Sequence, residues 1–149
     1  MAWSAEMTPQ EVAERSSQVM LAGDAATKWL GIDLVEVSPG ACKMTMQVQA
    51  HHLNGHGICH GGFINTLADS AFAFACNSYN NRVVAIQNSI NLLSSGQRDE
   101  VLTAVATETS ITGRSGIYDV TVTGGDGRIV ALFRGLSRQI SGQHFEEQK

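Results

Sequence analysis

The rhythm of apolar and polar positions changes along this chain, and each change predicts an element. Residues 8–24, TPQEVAERSSQVMLAGD, carry helix-start signals: Thr8 can cap, Pro9 suits the first helical position and Glu11 completes a capping box. Asp24 caps a second, short helix that stops at Gly31. The period then drops to two. IDLVEVS alternates, Pro39-Gly40 turns, and ACKMTMQVQ alternates again with Cys42, Met44, Met46 and Val48 on one face, which predicts a β-hairpin. Residues 50–59 read as loop. From 61 to about 80 there is no proline, and no glycine after Gly62. Phe63, Leu67, Ala71 and Phe74 fall at helical spacing, as do Ile64, Ala68, Phe72 and Ala75, so apolar residues face nearly every direction and the helix is expected to be buried. Four strands are predicted after it, at 83–93, 101–111, 117–123 and 128–140, separated by the turn formers SSGQRDE, TGRSG and GGDG. Short connections favour antiparallel neighbours. The expected class is α+β, an antiparallel sheet wrapped around one long buried helix with an N-terminal helical segment at 1–28. Residues 141–149, SGQHFEEQK, read as a solvated, flexible tail, and 1–149 as a single domain.

Composition narrows the function more than the fold. The 149 residues suffice for one domain with its own core. A net charge of -4 argues against nucleic-acid binding, which calls for a basic face, but leaves room for a small anionic ligand held by local arginines. Cys42, Cys59 and Cys76 are an odd, widely spaced set rather than a disulfide framework. No apolar run is long enough to span a bilayer, and no secretory leader opens the sequence. Free thiols without an export signal predict the cytoplasm.

The candidate chemistry concentrates in residues 51–77, HHLNGHGICHGGFINTLADSAFAFACN. His52, His56 and His60 are spaced by four with Cys59 adjacent, ligand types that suit zinc, but the glycines between them break any continuous helix, and a metal-free protein is expected. Cys59 and His60 are neighbours on a loop, a poor geometry for a nucleophile and its base. Cys42 and Cys76 sit on apolar faces and read as core. There is no G-x-S-x-G elbow, and GHGICHG has histidine where a dinucleotide loop needs its third glycine. HGGFINTLAD remains. Glycines at a helix start let a ligand approach the backbone, where the first N–H groups lack helical partners and can stabilise an oxyanion. Asp69, two turns on, is the only charge from 61 to 81. On chemistry alone two readings stay open: a structural carboxylate bonded to a neighbour, or a working acid.

The stretch LNGHGICHGGFINTLADSAFAFACNS closely resembles the motif of the PaaI-type acyl-CoA thioesterases, hotdog-fold enzymes of phenylacetate degradation, and GIYDVTV and VALFRGLSRQI extend the resemblance over about 29–140. The resemblance implies hydrolysis of an acyl-CoA thioester, phenylacetyl-CoA or a ring-hydroxylated form of it, without a cofactor. It implies that Gly61 donates its N–H to the thioester carbonyl and that Asp69 serves as general base or nucleophile. Asn54 would place water or substrate, and His60 would shape the helix start. The CoA moiety would meet Gly62, Arg114, Ser115, Arg134 and Arg138. One departure is Ala85, where some relatives carry a serine that positions the water. The resemblance also implies a homodimer, and a tetramer built as a dimer of dimers. Two rival readings are a hotdog dehydratase using His60 and Asp69, and a non-catalytic acyl-CoA-binding protein, which would want an output module that this chain lacks.

Overall fold

The computed structural model describes residues 6–147. Helix α1 (Pro9–Gly23) and helix α2 (Ala25–Leu30) precede strands β1 (Ile32–Ser38) and β2 (Ala41–Gln47); helix α3 (Gly61–Cys76) leads into β3 (Val83–Leu92), β4 (Val101–Thr112), β5 (Ser115–Thr123) and β6 (Ile129–Gln139). The local signals act as expected. Thr8 Oγ1 accepts from Glu11 N at 3.2 Å while Glu11 Oε2 accepts from Thr8 N at 2.8 Å. Asp24 caps α2 through Thr27 N at 3.0 Å, and Gly31 ends it in the left-handed region at φ 71°.

The strands form one antiparallel sheet in the order β1-β2-β4-β5-β6-β3. The later strands are antiparallel, as their turns predict, but β3 is not beside β4. It pairs with β6 at the far edge, and residues 93–100 cross back to bring β4 against β2. Helix α3 lies across the concave face and touches every strand. Cys42, Met44, Met46 and Val48 bury against it, together with Ala104, Ala106, Val120, Val122 and Phe133. The Phe72 ring fills the centre between Tyr118 and Phe133, at centroid distances of 5.7 and 5.8 Å. Gly135 makes room for that ring, since a Cβ there would sit 2.7 Å from Phe72.

Two expectations about α3 are corrected. It stops at Cys76 rather than near 80, because Asn77 leaves the helix and clamps β3: its Nδ2 donates to Ala73 O (2.8 Å) and Val83 O (3.0 Å), and its Oδ1 accepts from Val83 N (2.9 Å). Nor is α3 buried all round. Gly61, Asn65, Thr66, Asp69, Ser70 and Ala73 keep partial exposure and Gly62 is exposed, so a stripe of small and polar residues runs along an otherwise apolar helix. The tail, solvent-exposed at most positions of 141–147, is anchored at the α3–β3 junction. Asn80 Oδ1 accepts from His144 N (3.0 Å) and Phe145 N (3.1 Å), and the His144 ring meets Asn77 Oδ1 at 2.8 Å.

The two sheet edges differ. Helix α1 packs beside β1, where Gln10 Nε2 donates to Val37 O at 2.8 Å. Among the described residues nothing pairs with the outer edge of β3, where Val84, Ile86 and Leu92 are exposed.

Candidate active site

The loop before α3 fixes the helix start. Asn54 Oδ1 accepts from His56 N (2.9 Å) and Ile58 N (3.4 Å), Cys59 N donates to Gly96 O (2.8 Å), and His60 N donates to His52 O (2.8 Å). The Asn54 carbonyl oxygen is therefore spent on its own loop; only its amide nitrogen is left to meet a ligand. Held in this way, His60 takes an extended conformation (φ -60°, ψ 130°), and its Nδ1 accepts from Gly62 N at 3.0 Å. His60 thus caps the helix start, and the Gly62 N–H is occupied within the chain. Phe63 N and Ile64 N bond His60 O at 3.0 and 3.4 Å. Among the described residues the Gly61 N–H has no acceptor. It is the one unspent donor at the positive end of a 16-residue helix. Leu92 walls this position, its Cδ1 lying 2.7 Å from where a Gly61 Cβ would stand.

Asp69 lies on the open stripe, eight residues beyond Gly61. Burial raises its pKa above the ordinary aspartate value, and among the described residues no hydrogen bond or cation compensates. The structural reading of Asp69, which needs a bonded neighbour, loses ground here. A half-buried, unpaired carboxylate is a better proton acceptor than a solvated one. The nearby Thr66 hydroxyl does not serve it, for it donates back to Gly62 O at 2.9 Å. Asn65, one turn before Asp69, has a buried Oδ1 with no hydrogen-bond partner. Sequence reasoning passed over this residue; its spacing of four from the lone acid was the available signal.

The residues expected to meet CoA divide. Arg114, Ser115 and Arg138 gather at the far end of α3: Ser115 faces Arg138 in the β5–β6 register, Arg138 faces Val84 of β3, and Arg114 lines a cleft of about 340 Å³ with Asn81, Gln139 and Ile140. Arg134 does not join them. Its Nε and Nη2 hold Asp119 at 2.7 and 2.9 Å, and Asp119 also takes the Thr109 hydroxyl, so this charge is already neutralised by a bidentate partner. The Arg134 guanidinium in turn holds the Asp119 carboxyl below its ordinary pKa. Ala85 lies exposed on β3 and offers no hydroxyl.

The histidines do not converge. His52 is buried with its Nδ1 accepting from Gln49 N at 3.0 Å, and His56 is exposed. Among the described residues no cluster of His, Cys, Asp and Glu of the size that holds a metal ion forms. A cleft of about 650 Å³ lies between α1 and the β1–β2 hairpin and touches none of the site residues.

The sheet curled around α3 is the hotdog fold. The chain belongs to the thioesterase superfamily, whose family model matches residues 56–131, and it is a thioester hydrolase. It is 41% identical over 130 residues to the acyl-coenzyme A thioesterase PaaI of Escherichia coli, covering 87% of this chain and 93% of that one. The structure of the E. coli PaaI protein from the phenylacetic acid degradation operon superposes with a TM-score of 0.89 at 39% identity, covering 91% of this chain and 99% of that one. A Streptococcus mutans protein solved bound to acetyl CoA matches with a TM-score of 0.72 at 28% identity, covering 75% of this chain and 90% of that one. The likeness to PaaI-type enzymes read from the HGG…D motif is thus borne out.

Proposed function

We propose that the chain hydrolyses aryl-acyl-CoA thioesters, phenylacetyl-CoA or a ring-hydroxylated form, at a site made by the Gly61 N–H and the Asp69 carboxylate. The observation that carries this reading is the single unspent N–H at the start of α3, on the same helix as an unpaired, half-buried acid. Water attacks the thioester carbonyl while Asp69 takes its proton. The carbonyl oxygen gains the negative charge and is held by the Gly61 N–H at the helix dipole. The intermediate collapses, the C–S bond breaks, and the proton on Asp69 passes to the departing CoA sulfur. A thiolate leaves readily, so the step needs little acid assistance. The acyl group and CoA come to this reading from the E. coli relative, named an acyl-coenzyme A thioesterase, and from the S. mutans structure with acetyl CoA.

The two groups belong to different subunits of a homodimer in this proposal. Along one helix, Gly61 and Asp69 are separated by roughly 12 Å at 1.5 Å per residue. A water within about 3–3.5 Å of the carbonyl carbon and in contact with its base cannot bridge that gap. Two antiparallel copies of α3 set Gly61 beside Asp69 of the partner subunit. The same arrangement carries the partner's Arg114, at the far end of its helix, toward this chain's Gly61, where CoA phosphates would need a cation. A dimer of such dimers, one domain per chain spanning 1–149, and a cytoplasmic setting complete the proposal; the buried free thiols of Cys42, Cys59 and Cys76 are compatible with a reducing compartment. The dehydratase alternative is disfavoured because His60 Nδ1 is engaged with Gly62 N.

A panel of acyl-CoA substrates, assayed by release of free CoA thiol, tests the reaction. Arylacetyl-CoA should be cleaved with the highest kcat/KM. Failure to release thiol from any thioester, with hydration of an enoyl-CoA instead, would favour the dehydratase.

A further inference from the structure

We propose that Arg128, with Glu100, positions the oxyanion donor: the pair braces the crossover at 93–100, and the crossover holds the loop that ends at Gly61. The inference rests on the reading of the Gly61 N–H as the donor and goes beyond it by assigning what keeps that N–H in place.

The Arg128 guanidinium grips the crossover on both sides of Gly96. Its Nη2 donates to Ser95 O and to Glu100 Oε1, both at 2.6 Å, and its Nη1 donates to Glu100 Oε2 at 2.7 Å. The Glu100 carboxylate closes the turn from the other end, where Oε1 accepts from Gln97 N at 3.1 Å and Oε2 from Gly125 N at 3.3 Å. A bidentate, charge-assisted pair of this kind fixes geometry as well as charge. Hydrogen bonding from Arg128 lowers the Glu100 pKa to about 2, so the pair stays ionised at any working pH. Glu100 and Arg128 stand just outside β4 and β6. The ladders of those strands close without them; the segment they hold is the crossover.

The crossover in turn frames the helix start. The buried Gly96 accepts from Cys59 N at 2.8 Å, and Cys59 is two residues before Gly61. The contact is close: a Cβ on Gly96 would stand 3.0 Å from Cys59 Cβ and 3.2 Å from Leu102 Cδ1. Other backbone bonds of this loop, Asn54 N to Ile58 O at 2.8 Å and Gly57 N to Asn54 O at 3.0 Å, close within it. At its β3 end the crossover follows Leu92, whose side chain walls Gly61, and Leu93 N and Ser94 N donate to Val130 O at 2.8 and 3.2 Å. One braced segment therefore holds the residue leading into the donor and adjoins the wall beside it. A donor stabilises a developing oxyanion only where it is already aimed. A displacement of about 1 Å, caused from outside the site, can cost roughly 10²-fold in rate.

The test reads the substrate carbonyl directly in the full-length protein. The probe is an uncleavable ketone analogue of phenylacetyl-CoA, with a methylene between sulfur and carbonyl, and its C=O stretch is recorded by isotope-edited infrared spectroscopy. Bound to the wild type, the stretch should fall below its value in water. In Arg128→Gln that shift should shrink, and kcat on phenylacetyl-CoA should fall by about 10–10²-fold with KM within about threefold of wild type. The acid limb of kcat/KM should stay in place, because Asp69 is untouched. Asp126→Asn should match wild type in both readouts: Asp126 takes Arg128 Nη1 at 2.7 Å but lies on the β5–β6 turn, off the crossover. Should Arg128→Gln fail to fold, Arg128→Lys and Gly96→Ala carry the same measurements. The lysine keeps the charge but cannot fork to Ser95 O and both Glu100 oxygens, and the added methyl presses on Cys59. Folded variants that keep the wild-type kcat and carbonyl shift overturn the positioning role. So does a loss of kcat that moves the acid limb or leaves the shift intact. A wild type that binds the analogue without lowering its stretch refutes instead the Gly61 donor on which the inference rests.

Discussion

Asp69 shows at the level of one residue what burying a lone carboxylate costs a fold. Its pKa is raised by burial, so the folded state favours the protonated acid. For a carboxyl raised in this way, the favourable contribution is complete below the unfolded pKa and is lost as pH rises through the folded pKa. At neutral pH the ionised Asp69 therefore detracts from stability. Asp69→Asn should melt at the same temperature as wild type or higher at pH 7, and the difference should shrink toward the acid side; thermal melts across pH check this. In the proposed mechanism the same substitution removes the base and should lower kcat by about 10²–10⁴-fold. In the wild type, kcat/KM should fall on the acid side along a single ionisation whose pKa lies above that of an ordinary aspartate. A second variant removes the proposed donor, with the exposed Leu92 side chain shifting from its 2.7 Å approach to the new Cβ. Gly61→Pro deletes one N–H at the first helical position, where proline is tolerated, and His60 already has the extended backbone that precedes a proline. Its kcat should drop by about 10²–10³-fold with the fold retained by circular dichroism. The acid was legible in the sequence because no other charge shares its helix. The fate of the Gly62 N–H was not, since it depends on the orientation of the His60 ring, and neither was the capture of Arg134 by Asp119, which needs the β5–β6 register.

Among the elements, those with local causes were legible. The α1 capping box, the Asp24 cap, the Gly31 stop and the alternation of β2 depend on residues within a few positions of one another. What depends on distant partners was not. The end of α3 is decided by Asn77, whose side chain reaches β3 and the tail rather than continuing the helix. The open stripe was hidden because Phe63, Ile64 and their successors satisfy apolar helical spacing on overlapping faces, and only the strand order reveals which face the sheet leaves uncovered. Asn77→Ala should therefore destabilise the protein by about 1–3 kcal/mol, because Val83 N and O lose their side-chain partner in a half-buried setting. Chemical denaturation should show a lower midpoint with the slope unchanged.

At the scale of the whole molecule, Gly61 and Asp69 of one chain cannot close the proposed site together. Gly61 and Asp69 sit too far apart on one rigid helix, and the bare β3 edge and the α3 stripe are the surfaces a partner would use. The most direct measurement is complementation. Asp69→Asn and Gly61→Pro, each inactive alone, are co-expressed with different tags and the mixed dimer fraction is established by mass. A mixed dimer then holds both lesions at one site and neither at the other. Random pairing should restore about a quarter of wild-type acyl-CoA hydrolysis, if activity follows the number of intact sites. Mixed dimers that form in that proportion and remain inactive would mean that the acid and the oxyanion donor act from the same chain, contradicting the shared site.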